Sequence, residues 1–106
     1  MRLSNVLLVA GVTFALVSTG SAYADAAKVE AGASVYGDYC SSCHGEQLRN
    51  TSGGVTFDLR RLRPEDHDRF AKAVLDGKGP MPPWRSVLKP EQIEAIWAYI
   101  RATVDR

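Results

Sequence analysis

Cysteine is nearly absent from this chain. Its 106 residues hold two, Cys40 and Cys43, and no third stands anywhere to pair with either. A bridge between them would close a tiny loop and add little loop-closure entropy, so no disulfide framework holds the fold. Histidine is as scarce, with His44 and His67 only. A structural zinc site needs four ligands, commonly two cysteine pairs, and the thiolates for it are missing. No apolar run reaches the ~18 residues of a spanning helix. Charge of one sign is missing too. Of 13 basic residues only Arg2 falls in residues 1–24, so 12 basic residues face 12 acidic ones beyond it. That balance leaves no electrostatic footprint for nucleic acid. No segment reads as a convincing strand, and no internal repeat is visible.

What is present begins with a leader. Arg2 supplies a positive start, Val6 to Val17 form an apolar run of 12, and Ala22-Tyr23-Ala24 offers small residues where a signal peptidase reads. Residues 1–24 are therefore expected to be a secretory signal peptide, cut before Asp25, which implies a periplasmic protein. No cysteine stands at the cut, so a lipid anchor is not expected. Residues 25–106 then make one small domain. A body of that size buries only about 60% of its unfolded surface and needs a further source of cohesion.

The stretch "DYCSSCHGEQ" at 38–47 joins both cysteines to a histidine. A thioredoxin-type dithiol uses the same C-x-x-C, but after a strand in a βαβ unit. Here Val29, Ala33, Tyr36 and Cys40 instead fall on one helical face. C-x-x-C-H reads as c-type haem attachment: each thiol adds to one vinyl group, and His44 lies on the proximal side with a nitrogen at the iron. Haem would also supply the missing core.

"GASVYGDYCSSCHG" resembles the opening of a class I cytochrome c in its small bacterial form, and the resemblance covers essentially residues 25–106. It implies an all-α fold, about three main helices wrapped around one covalently attached haem c, one per chain, held by Cys40 and Cys43. It implies that Gly32 lets the first helix press on the last, that Tyr36 is the usual aromatic, and that Tyr99 packs on Gly32. "DGKGPMPPW" resembles the family's methionine loop and makes Met81, the only methionine beyond the leader, the second axial ligand of the iron after His44. Met/His ligation raises the potential, because a thioether favours reduced iron. His67 and Lys78 are the rival ligands, His67 read as a solvated position early in a helix.

The helices are expected over about 28–40, from Pro64 or Glu65 to before Gly77, and from "KPEQ" onward. Phe70, Ala71, Val74 and Leu75 form one apolar stripe; Ile93, Ile96, Trp97, Ile100 and Val104 form another. Pro90 suits the first helical position and Gln92 can fold back as a cap. One segment departs from the family. Between His44 and Pro64 there is no proline, although the family's proximal histidine donates to a proline carbonyl. Another acceptor must orient His44, since ligating imidazoles nearly always have one. Arg49, Arg60, Arg61, Arg63 and Trp84 are candidates for the haem propionates, with an ordinary solvated charge run as the equal alternative for each arginine and simple packing for Trp84.

With both axial positions filled, the expected function is electron transfer and not catalysis. Expected partners are a quinoprotein dehydrogenase as donor and a terminal oxidase or another cytochrome as acceptor. The chain is expected to be a monomer that meets membranes only through transient docking. The alternative is a haem-based sensor or peroxidase-like enzyme with a displaceable sixth ligand; a thiol oxidoreductase is a third account.

Overall fold

The computed structural model describes residues 4, 7–13 and 19–105. The expected leader falls partly outside these; its positions 7–13 are exposed and in neither helix nor strand. Among the described residues no helix is long and apolar enough to cross a membrane.

Four α-helices follow: α1 (Thr19–Tyr39), the single turn α2 (Ser41–His44), α3 (His67–Asp76) and α4 (Pro90–Val104). Short 3₁₀ turns at Glu46–Leu48, Leu59–Arg61 and Pro64–Asp66 bend the intervening chain. Helix α1 begins well before the expected residue 28 and runs through the expected cut at Asp25. Six alanines between 22 and 33 give it high intrinsic propensity. Its outer turns are exposed, and burial starts only at Val29 and Gly32.

Helix α4 starts as expected, with Pro90 at its first position and the Lys89 N–H donating to Gln92 Oε1 at 2.8 Å. That bond satisfies an N–H at the helix entry. Helix α3 is preceded by the 3₁₀ turn at Pro64–Asp66, where the Arg63 N–H donates to Asp66 Oδ2 at 2.9 Å.

The two apolar stripes meet as expected. Phe70 and Val74 from α3 join Ile93, Ile96 and Ile100 from α4, with Tyr36, Leu48, Leu62 and Leu88 completing the buried core. Helices α1 and α4 cross at Gly32, where an added Cβ would overlap the Ala95 carbonyl oxygen. The atoms nearest such a Cβ belong to the backbone of Ala95 and Ile96. Tyr99 lies one turn further along α4 and pairs with Tyr36, ring centroids 5.3 Å apart. The small contact therefore sets how close the helices come, and the aromatic contact fills the space beside it.

Gln47 and Leu48 both take left-handed backbone, at φ 53° and 62°. Such a conformation costs an L-residue about 1–2 kcal/mol. Leu48 is fully buried, which returns about 1.5–3 kcal/mol, so core burial can hold the strained turn in place.

Candidate functional site

Helix α1 hands directly to the motif. The Cys40 N–H still donates to the Tyr36 carbonyl at 2.9 Å, and the His44 N–H donates to Cys40 O at 2.9 Å, so 40–44 is one more helical turn. Gly45 stops it at φ +87°, tight against the Arg49 carbonyl. The Tyr36 hydroxyl donates to Gly45 O at 2.6 Å. Burial, first, holds that phenol well above the ordinary tyrosine range.

Both cysteines are free thiols. Burial, then the neighbouring Cys43, pushes the Cys40 thiol up to about 11. A redox dithiol needs a thiolate, and a catalytic cysteine has its pKa lowered. The pair is therefore poorly set for thiol–disulfide exchange, which weighs against the oxidoreductase account.

The acceptor that orients His44 is the Phe57 carbonyl, 3.1 Å from Nδ1. A carbonyl only accepts, so Nδ1 carries a proton, and in the neutral imidazole that leaves the Nε2 lone pair for a metal. A hydrogen-bonded loop replaces the missing proline. The Asn50 amide donates to Thr56 O at 2.8 Å, the Thr56 N–H donates to Ser52 Oγ at 3.0 Å, and Thr56 Oγ1 donates to Cys43 O at 3.0 Å. From α3 the Arg69 guanidinium lies over the Phe57 ring, 5.1 Å from its centroid. Sequence reasoning missed Asn50, Ser52, Thr56 and Phe57. "RNTSGG" does carry turn-forming Asn and Ser, but that signal names no particular carbonyl.

Met81 is placed by the end of α3. The last carbonyls of a helix lack partners within it. Here the Gly77 N–H donates to Ala73 O at 2.9 Å, the Trp84 N–H to Val74 O at 2.9 Å and the Arg85 N–H to Leu75 O at 3.3 Å. The loop is thus folded back onto the helix it leaves. Inside it Lys78 and Met81 exchange both backbone bonds, at 3.0 Å each. Gly77, at φ +74°, leaves room that a Cβ would fill, 2.5 Å from Met81 O. Met81 is half-buried against the same apolar cluster that takes Cys40, Leu59 and Trp84. The Trp84 ring meets Tyr39, the residue before Cys40, edge to face at 5.4 Å.

The other sequence candidates separate. His67 is the first residue of α3, but it is not simply solvated and without an acid partner. Its Nε2 lies 2.8 and 3.0 Å from the Glu94 carboxylate oxygens, and its Nδ1 is 3.0 Å from Asp68. With both nitrogens engaged, it is a tie between α3 and α4 and not a free ligand. Lys78 is exposed. Arg60 is held by Asp58 at 2.8 Å, and Arg63 by Glu65 at 3.3 Å. Arg49 and Arg60 share a hollow of about 370 Å³ with Gln47, Tyr99 and Thr103, whereas Arg61 lines another. Trp84 packs its ring on Tyr39.

The donor set fits a c-type haem: two adjacent free thiols, an imidazole with Nε2 left open, and a thioether on the apolar cluster that Cys40 also joins. Comparison with known proteins agrees. The family described as cytochrome c oxidase, cbb3-type, subunit III matches residues 27–100. The quinohemoprotein alcohol dehydrogenase ADH-IIG of Pseudomonas putida is 44% identical over 78 residues, 72% of this chain and 11% of that one. Cytochrome c6 of Euglena gracilis is 31% identical over 65% of this chain and 85% of its own length. Cytochrome c550 of Pseudomonas aeruginosa is 37% identical over 70% and 54%. A solved structure of the ADHIIG dehydrogenase superposes with a TM-score of 0.65 at 39% identity, over 76% of this chain and 12% of that one. The chain thus spans about a tenth of the length of the dehydrogenases it matches.

Proposed function

The chain belongs to the cytochrome c family, and on that premise we propose that it is a periplasmic electron carrier, exported by cleavage before Asp25, with one haem c bound through Cys40 and Cys43. Haem supplies a one-electron Fe(II)/Fe(III) couple. His44 offers Nε2 to the iron while Phe57 fixes the ring through Nδ1. Met81 offers its thioether from the loop strapped to α3, and a soft neutral donor favours the reduced state. Were His44 and Met81 both to hold the iron, no coordination position would be left for a substrate, and the chain would carry electrons without catalysis of its own.

The observation that carries this reading is the His44–Phe57 bond, which leaves one imidazole nitrogen free directly after two free thiols. The donor we propose is a quinoprotein alcohol dehydrogenase. Support for this comes from the Pseudomonas putida dehydrogenases, in which a stretch similar to this chain makes up 11% of the protein. The acceptor is a terminal oxidase or a second cytochrome. Small, weak interfaces below ~1,200 Å² suit such transfers.

Denaturing mass spectrometry of periplasmic extract tests the assignment: the mass should be that of residues 25–106 plus one haem. A mass without haem overturns the carrier, and a mass that includes residues 1–24 overturns the cleavage. Stopped-flow reduction by a quinoprotein dehydrogenase, against one lacking the quinone, tests the donor.

A further inference from the structure

Two bonds of equal sequence span fasten one loop to the motif. Thr56 Oγ1 donates to Cys43 O at 3.0 Å and His44 Nδ1 donates to Phe57 O at 3.1 Å, each across 13 residues. The Cys43 carbonyl belongs to the peptide bond that carries His44. One contact therefore grips the backbone of His44 and its neighbour grips the ring. Phe57 has no side-chain donor for the Cys43 carbonyl, and the Thr56 carbonyl is taken by the Asn50 amide.

We infer that Thr56 is a positioning residue for His44, fixing the distance and angle at which the Phe57 carbonyl polarises the imidazole. This rests on the proposed reading of His44 as an iron ligand. The His44–Phe57 bond faces solvent, where water competes and a hydrogen bond is worth little unless its geometry is held. Arg69 holds the Phe57 ring from an exposed position, a weak contact of about 0.5–1 kcal/mol. Asn50 holds the Thr56 carbonyl but does not reach the motif. The Thr56 hydroxyl is the tie that does. A hydrogen bond on Nδ1 raises the basicity of the ligating imidazole. A stronger donor stabilises Fe(III), so Thr56 lowers the potential below what an untethered imidazole would give.

The test compares Thr56→Val, which keeps the shape and removes the hydroxyl, with Thr56→Ser, which restores it. Both are made in the haem-loaded protein. NMR follows exchange of the His44 Nδ1–H in the reduced state, and a redox titration gives the potential. Thr56→Val should speed that exchange about tenfold, equivalent to about 1.4 kcal/mol, and raise the potential; Thr56→Ser should restore both. A role confined to stability would lower the unfolding midpoint and leave exchange and potential where they were, which overturns the inference. Should Thr56→Val fail to load haem, Asn50→Ala leaves the hydroxyl in place but frees the Thr56 carbonyl. A smaller shift in the same direction then supports the inference, and no shift overturns it. Wild-type protein without haem, or without His44 on the iron, overturns the proposed function itself, whatever the variants do.

Discussion

Tyr39 and Trp84 meet edge to face, with ring centroids 5.4 Å apart. Tyr39 ends α1 directly before Cys40, and Trp84 stands three residues beyond Met81 with its N–H on the last turn of α3. This contact joins the segment that leads into His44 to the loop that bears Met81. A double-mutant cycle with Tyr39→Leu and Trp84→Leu should give a coupling of about 0.5–1.5 kcal/mol in chemical denaturation. Trp84→Leu should also weaken the sulfur-to-iron charge-transfer band of the oxidised protein. Additive effects would place the two rings out of contact.

Met81→Ala should leave the haem attached, since the thioethers are elsewhere, yet remove that band. It should also lower the potential, because water or a harder ligand replaces the thioether. His67→Ala should leave the band unchanged, as both of its ring nitrogens are already engaged. Spectra and redox titrations of the two variants check this pair of outcomes.

Gly32 and Gly37 lie on the same helix and should respond oppositely to alanine. At Gly32 the new Cβ would overlap the Ala95 carbonyl, backbone that cannot rotate away; such overpacking costs about 1–3 kcal/mol. At Gly37 nothing lies within 4 Å. There Gly→Ala should stabilise the helix interior by about 0.5–1 kcal/mol. Denaturation midpoints that move the same way would count against the α1–α4 crossing.

The hydrogen bond to Asp68, then that to Glu94, raises the pKa of His67 above its ordinary value. A raised histidine is more readily charged in the fold than in the unfolded chain. Its stabilisation is therefore complete below pH ~6.5 and is lost as pH rises through the folded-state pKa. Asp68 is fully exposed, while Glu94 bridges α3 to α4. Solvent screens the first partner more, and the pair contributes below about 1 kcal/mol. Stability measured from about pH 6 to 8 should fall more in the wild type than in His67→Gln. Parallel curves would remove His67 from the account.

The sequence by itself determined the chemistry that lies close along the chain. Cys40, Cys43 and His44 are separated by covalent distances that no folding alters, so the C-x-x-C-H motif of the family was legible at once. The stripes of α3 and α4 and the Gln92 cap were legible for the same reason, since helical periodicity and capping act within a few residues. Tertiary structure decided what depends on how helices cross and turns close. The acceptor for His44 is a backbone carbonyl, which every residue owns; only the conformation of residues 50–57 selects Phe57. The partner of Gly32 is likewise a carbonyl, of Ala95, chosen by the crossing of α1 and α4. The tie from His67 to Glu94 spans 27 residues, and the left-handed turn at Gln47 and Leu48 persists because Leu48 is wholly buried. Those contacts are set by packing, in which residue type counts for less than position in space.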